Sequence, residues 1–265
     1  MQNFLAFLWG GVIAVLGGLI GLGGAEFRLP VLVGIFKYRT LQAIVINLAI
    51  SLVTVVFSFI FRASFTRFSH ISANFYIILN VLTGSLLGAY IGVNFATKLN
   101  EQILTRVVVA FLLVLSFLLI SHAFIASLPG LQLPLSLRIL LGFTAGIVIG
   151  IFSSMLGVAG GEIIIPTVMI VFSVDIKLAG SLSLAISIPT IIMGLMRYHR
   201  QRKLGEIYAH HGFIAFMAAG SILGALAGSY LLRFVSSGFL HVLLGMILFT
   251  SALNLLRRKR AHLAV

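Results

Sequence analysis

The chain has 265 residues, 60% of them hydrophobic and 9% charged, with a mean hydropathy of +1.19. A soluble domain cannot hide that much apolar surface, which excludes water-soluble enzymes and binding modules and points to an integral membrane protein. The formal net charge of +13 does not indicate nucleic acid, because the basic residues sit in short linkers between apolar runs, where they report topology.

About 20 apolar residues cross a hydrocarbon core of roughly 30 Å as a helix. Runs of that size occur at Phe4–Leu22, Leu41–Phe61, Phe75–Thr97, Ile103–Ile125, Leu137–Leu156, Leu178–Met196, Phe213–Leu232 and Phe239–Leu256. The expected fold is therefore an all-α polytopic membrane protein of about eight transmembrane helices. The opening "MQNFLAFLWGG" lacks the basic region and cleavage site of a signal peptide, so the first run is expected to stay as a span. Cysteine is absent, which excludes disulfides and thiolate ligands.

A constant offset of 136 carries the first half onto the second without a gap. It takes Gly10 to Gly146, Gly21 to Gly157, Gly24 to Gly160, Glu26 to Glu162 and Pro30 to Pro166. "LAIS" at 48–51 meets "LAIS" at 184–187, Thr54 meets Thr190, and "GSLLGAYIG" at 84–92 meets "GSILGALAG" at 220–228. Apolar sequence matches by chance, but glutamate, proline and ordered glycines in constant register do not. The expected organisation is a first repeat at 1–125, a linker at 126–136 and a second repeat at 137–265. Internal repeats in polytopic chains mark secondary transporters.

Two short apolar segments, Ala25–Phe36 and Gly161–Phe172, each follow a Gly-Gly break and are too short to span. They are expected as re-entrant half-helices, with Gly23, Gly24, Gly160 and Gly161 permitting the break and Pro30 and Pro166 placed near a helix start. Such helix ends offer free N–H groups and a partial positive charge, and two converging ends make an anion site. Arg28, whose counterpart is Ile164, adds a full charge in the first copy only. Glu26 and Glu162 admit three readings: caps that fix the half-helices, carboxyl groups that carry a proton with the anion, or ligands of a cation.

Placing the loop after the second run in the cytoplasm puts Arg62, Arg67, Arg138, Arg197, Arg200, Arg202, Lys203 and the closing Arg257–Arg260 cluster inside. Lys37, Arg39, Lys98, Arg106, Lys177 and Arg233 then fall outside. This bias predicts cytoplasmic termini and two four-span repeats in the same orientation. Asn47, Ser51, Ser183 and Ser187 recur at matched positions one helical turn apart, as path-lining groups or as interhelical hydrogen-bond donors. Pro189 is expected to kink its span, and the glycine ladders at 84, 88, 92 and 220, 224, 228 to bring helices close. His122 and His199 have no ligand partner at helical spacing, so no metal or other cofactor is expected. No P-loop, HExxH or GxSxG pattern is present, and the chain is not expected to be an enzyme.

The duplicated "GLGGAEFRLP" and "GVAGGEIIIP", each after an apolar span and each leading to a "LAIS" helix, resemble the sulfite exporter TauE/SafE family through both repeats. Ala25 and Ala159 stand where the family pattern usually has a further glycine, and Arg28 where it is more often apolar. The resemblance implies a bacterial inner-membrane permease for a small sulfur-containing anion, sulfite or an organosulfonate, with protons as a second partner of the bilayer-embedded chain. A homo-oligomer is compatible with the sequence. The competing readings are an uncoupled anion channel and a non-transporting membrane scaffold.

Overall fold

The computed structural model describes residues 2–65, 73–100, 134–174 and 176–231 continuously, with isolated positions between 102 and 121 and between 242 and 253. The expected linker core, His122 and the terminal basic cluster lie outside the described residues, and the last predicted span is described only at scattered helical positions. The fourth predicted span is described at scattered positions, all of them helical.

The described elements are all helices: α1 (Gln2–Ile20), α2 (Ala25–Gly34), α3 (Thr40–Phe65), α4 (Phe75–Lys98), α5 (Leu135–Leu156), α6 (Gly161–Phe172), α7 (Ile176–Arg200), the short α8 (Gly205–Ala209) and α9 (His211–Leu231). Six of them, α1, α3, α4, α5, α7 and α9, are long and apolar enough to cross a membrane. Their outward faces carry Phe4, Leu8, Leu79, Leu87, Leu140, Val148, Leu223 and Leu226, all exposed, as a lipid-facing surface requires. This is an all-α polytopic membrane protein. Helix α7 runs unbroken through Pro189.

Two glycine seams hold the bundle. Gly220, Gly224 and Gly228 of α9 lie against the backbone carbonyls of Phe7, Gly11 and Val15 of α1. Gly84, Gly88 and Gly92 of α4 lie against the carbonyls of Phe143, Ile147 and Ile151 of α5. Adding 136 to the α1 residues gives the α5 residues, so the two seams are equivalent. In both, positions rise together along the two helices, which makes each pair parallel. A side chain in place of these glycines would push the backbones apart.

The half-helices turn back on the helices before them. Gly24 and Gly160 adopt the left-handed conformation, at φ 72° and 80°, that a side chain disfavours. A Cβ on Gly24 would stand 2.8 Å from the carbonyl of Ile13, and one on Gly160 would stand 3.1 Å from the side chain of Ile149. From there α2 descends alongside α1, until the ring of Phe36 meets that of Phe213 edge-on at 4.8 Å, at the start of α9. Since α9 parallels α1, Phe36 has returned to the end where α1 began. Phe172 returns in the same way to Gly142, near the start of α5.

This return corrects the expected orientation of the repeats. Gly21, at the end of α1, lies beside Arg62 near the end of α3, whereas Gly157, at the end of α5, lies beside Ile44 near the start of α3. Helix α3 leads away from the end where α1 starts, α4 returns towards it, and α5 runs parallel to α4, so α5 approaches the centre from the side opposite to α1. Helices α1 and α5 therefore run antiparallel, and the two halves are inverted rather than parallel. The physical reason is the half-helix itself: by carrying the chain back, it adds one passage to each half and moves Lys37, Arg39 and Lys98 to the end where α1 starts. It moves Arg62 to the other.

Candidate functional site

The two breaks meet in the middle of the bundle. The position of a Cβ on Gly23 lies 3.6 Å from the Cβ of Ala159, its own counterpart at offset 136, and one on Gly161 would lie 3.1 Å from the Cα of Leu22. Glu26 and Glu162, one residue into each half-helix, are fully or almost fully buried and lie within electrostatic range of each other. None of their four carboxyl oxygens accepts a hydrogen bond of normal geometry. Buried polar atoms are nearly always paired, and here the two carboxyl groups have only each other and their own backbone to pair with.

The prolines stand elsewhere than expected. Because each helix starts directly after its left-handed glycine, Pro30 and Pro166 are sixth residues inside α2 and α6, not first-turn residues. Each lies four residues after a glutamate and lacks the N–H that would bond that glutamate's carbonyl. Glu26 and Glu162 thus lose the usual helical partner of the main-chain oxygen as well.

Asn47 and Ser183 bind the breaks from α3 and α7. Asn47 Nδ2 donates to the carbonyls of Ala25 and Gly157, both at 2.7 Å. Ser183 Oγ donates to Gly21 O at 2.9 Å, and Ser187 Oγ to Ala159 O at 2.6 Å. Gly21 O, Gly157 O and Ala159 O are carbonyls left over where α1 and α5 end, whereas Ala25 O belongs to the first residue of α2. Each half is tied to the end of the other's first helix.

Arg28 is fully buried and is committed to neutral partners. Its Nη1 donates to Asn47 Oδ1 at 3.3 Å and Ser51 Oγ at 3.1 Å, and its Nη2 to Thr54 Oγ1 at 3.1 Å and Ser221 Oγ at 3.5 Å. Only Nε lacks a partner. The sequence suggested a guanidinium free to receive an anion; instead its outer nitrogens are occupied, because four polar side chains of α3 and α9 converge on it.

The structure thus gathers Gly23, Gly24, Glu26, Arg28, Asn47, Ser51, Gly160, Gly161, Glu162, Ser183 and Ser187 around one centre, with Pro30 and Pro166 one turn further along the half-helices. Thr54 and Ser221 were missed as partners of Arg28. Thr54 follows Asn47 and Ser51 on the same face of α3, at helical spacing, and Ser221 lies inside the matched glycine ladder, so both carried a signal. Among the described residues no three His, Asp or Glu side chains come together.

A bundle of long apolar helices with two inverted broken helices at its centre has the architecture of a polytopic membrane transporter. The chain belongs to the sulfite exporter TauE/SafE family, whose model matches residues 1–119 and 141–264. It is similar to a probable membrane transporter protein of Methanocaldococcus jannaschii, 25% identical over 254 residues that cover 92% of this chain and 91% of that one. No solved structure matches the chain. Membership makes it a transporter of small anions and not an enzyme.

Proposed function

We propose that the chain is a secondary transporter that moves a small sulfur oxyanion, sulfite or an organosulfonate, across the cell membrane together with protons. The observation that carries this reading is the meeting of Glu26 and Glu162 at the ends of two inverted half-helices, buried against each other with no other side chain to pair them. The first-turn N–H groups of α2 and α6 supply donors for an anion. A proton held between the two carboxyl groups removes the repulsion that two adjacent charges would exert on each other and on that anion. In this reading proton and anion enter the same centre and move together.

The finer architecture is part of the proposal. It has two four-span repeats, at 1–125 and 137–265 with a linker at 126–136, and the predicted runs Ile103–Ile125 and Phe239–Leu256 complete eight spans. Lys37, Arg39, Lys98, Arg197, Arg200, Arg202 and Lys203 belong to the end where α1 starts, against Arg62, Arg138 and Lys177 at the other. That bias supports a cytoplasmic N-terminus in an inner membrane.

The test is sulfite flux into proteoliposomes of the purified protein, with and without an imposed proton gradient. Saturable flux that rises with the gradient supports the proposal. Saturable flux indifferent to the gradient rejects the coupling, and none for sulfite or organosulfonates rejects the substrate class.

A further inference from the structure

A separate cavity of about 350 Å³ opens at the end of the bundle where α1 begins. It is lined by Arg39, Leu41, Gln42 and Val45 at the start of α3, by Arg202 and Lys203 in the turn after α7, and by Gly205. Its volume falls within the range of small-ligand pockets. Three cationic side chains line it, and none has an ion-pair partner among the described residues. Glu206 is the one acid nearby in sequence, so the local charge stays positive.

All three cations sit in helix caps. The Arg39 N–H donates to Gln42 Oε1 at 3.1 Å, a side chain three residues on reaching back to the residue before the helix. At the other wall, the N–H of Arg202 donates to His199 O at 2.9 Å and that of Lys203 to Tyr198 O at 3.0 Å. These paired bonds close α7 with a left-handed residue, a place that glycine usually fills. Here it is filled by Arg202, at φ 57°. A residue that strains its backbone where glycine would not, and that places a guanidinium at a cavity wall beside a lysine and a second arginine, is a candidate for function.

We propose that this cavity binds a small oxyanion, a phosphate or sulfonate group, between Arg39, Arg202 and Lys203. The group can belong to a free anion in the water at this face or to the headgroup of an anionic lipid at the bilayer surface. The site stands apart from the central glutamates and does not depend on the transport reading.

The test measures binding, not flux, on the full chain. Inorganic phosphate is titrated into detergent-solubilised protein by calorimetry, and retained phosphatidylglycerol is counted by native mass spectrometry. Both are repeated for Arg202→Gly and Arg202→Asn, which suit the left-handed position and keep the turn, and for Lys203→Gln. Phosphate binding that weakens about tenfold or more in the variants supports a free-anion site. Bound phosphatidylglycerol that the variants release, without phosphate affinity, supports a headgroup site. Wild-type protein that holds neither, or variants that bind both as the wild type does, overturns the proposal.

Discussion

Thr190 Oγ1 and Ser85 Oγ hydrogen-bond directly at 2.7 Å, whereas their counterparts at offset 136, Thr54 and Ser221, are joined only through the guanidinium of Arg28. The second half shows the same polar layer without the charge, since Ile164 fills the place of Arg28. The first half is that layer opened to admit a guanidinium.

This relationship predicts which replacement of Arg28 the fold accepts. Arg28→Ile copies the second half and lets Thr54 and Ser221 approach each other. Isoleucine keeps more of the side-chain volume than alanine and is the residue the second half uses, so Arg28→Ile is expected to cost less than Arg28→Ala. Arg28→Ala empties the site and is expected to cost about 2–5 kcal/mol. Thermal unfolding in detergent compares them, and equal damage from both variants would show that the two halves do not share this layer.

The glycine seams predict matched losses. A Cβ at Gly88 or Gly224 meets a backbone carbonyl, of Ile147 or Gly11, that cannot move aside as a side chain can. Gly88→Ala and Gly224→Ala should each destabilise by about 1–3 kcal/mol, and by similar amounts. Gly34 ends α2 with nothing within 4 Å of its Cβ position, so Gly34→Ala is the neutral control. Melting temperatures that fall for one seam alone would contradict their equivalence.

Asn47 has more to lose than Ser183. Asn47→Ala strips donors from two buried carbonyls and an acceptor from Arg28, with each orphaned group costing about 1–3 kcal/mol. Ser183→Ala removes a single hydroxyl, shared between Gly21 O and Gly180 O. The asparagine variant should therefore be the poorer in folded yield, as size-exclusion profiles would show.

If Glu26 and Glu162 carry the proton, Glu26→Gln and Glu162→Gln should each accumulate in the membrane and lose the response of flux to a pH gradient. A glutamine keeps the volume and cannot take up or release the proton. Flux that responds as in the wild type would remove coupling from these residues. Failure of both variants to accumulate would leave them with a structural role alone.

The chain contains no cysteine, so single cysteines report topology without background. An impermeant maleimide applied to intact cells should label Arg138→Cys and spare Arg39→Cys, Lys98→Cys and Arg202→Cys. Labelling of the last three alone would reverse the proposed orientation. A split among those three would break the inverted arrangement.

Much of this was legible in the sequence because its signals were local or periodic. The apolar runs, the half-helices after each glycine break and the glycine ladders all follow from spacing. The pairing of Glu26 with Glu162 followed from the register of the repeat. The hand of the repeat did not, since counting basic residues needs the number of passages, and that number turns on whether Phe36 returns to the starting end. Nor could the ladders name their partners: Gly220 packs on Phe7 and Gly84 on Phe143, across the halves, and no periodicity along one helix says which other helix faces it. The engagement of Arg28 was hidden for the same reason, as Ser221 reaches it from the far end of the chain.

That crossing of the halves sets a clock on biogenesis. Phe7 and Gly220 are 213 residues apart (220 minus 7). At a synthesis rate of about 5–20 residues per second, α1 waits on the order of 10–40 s in the bilayer before its seam partner leaves the ribosome. During that interval its small-residue face is open to any other helix in the membrane. The nascent chain is therefore most exposed to mispairing, and to membrane-embedded chaperones or proteases, while its own last third is still unmade.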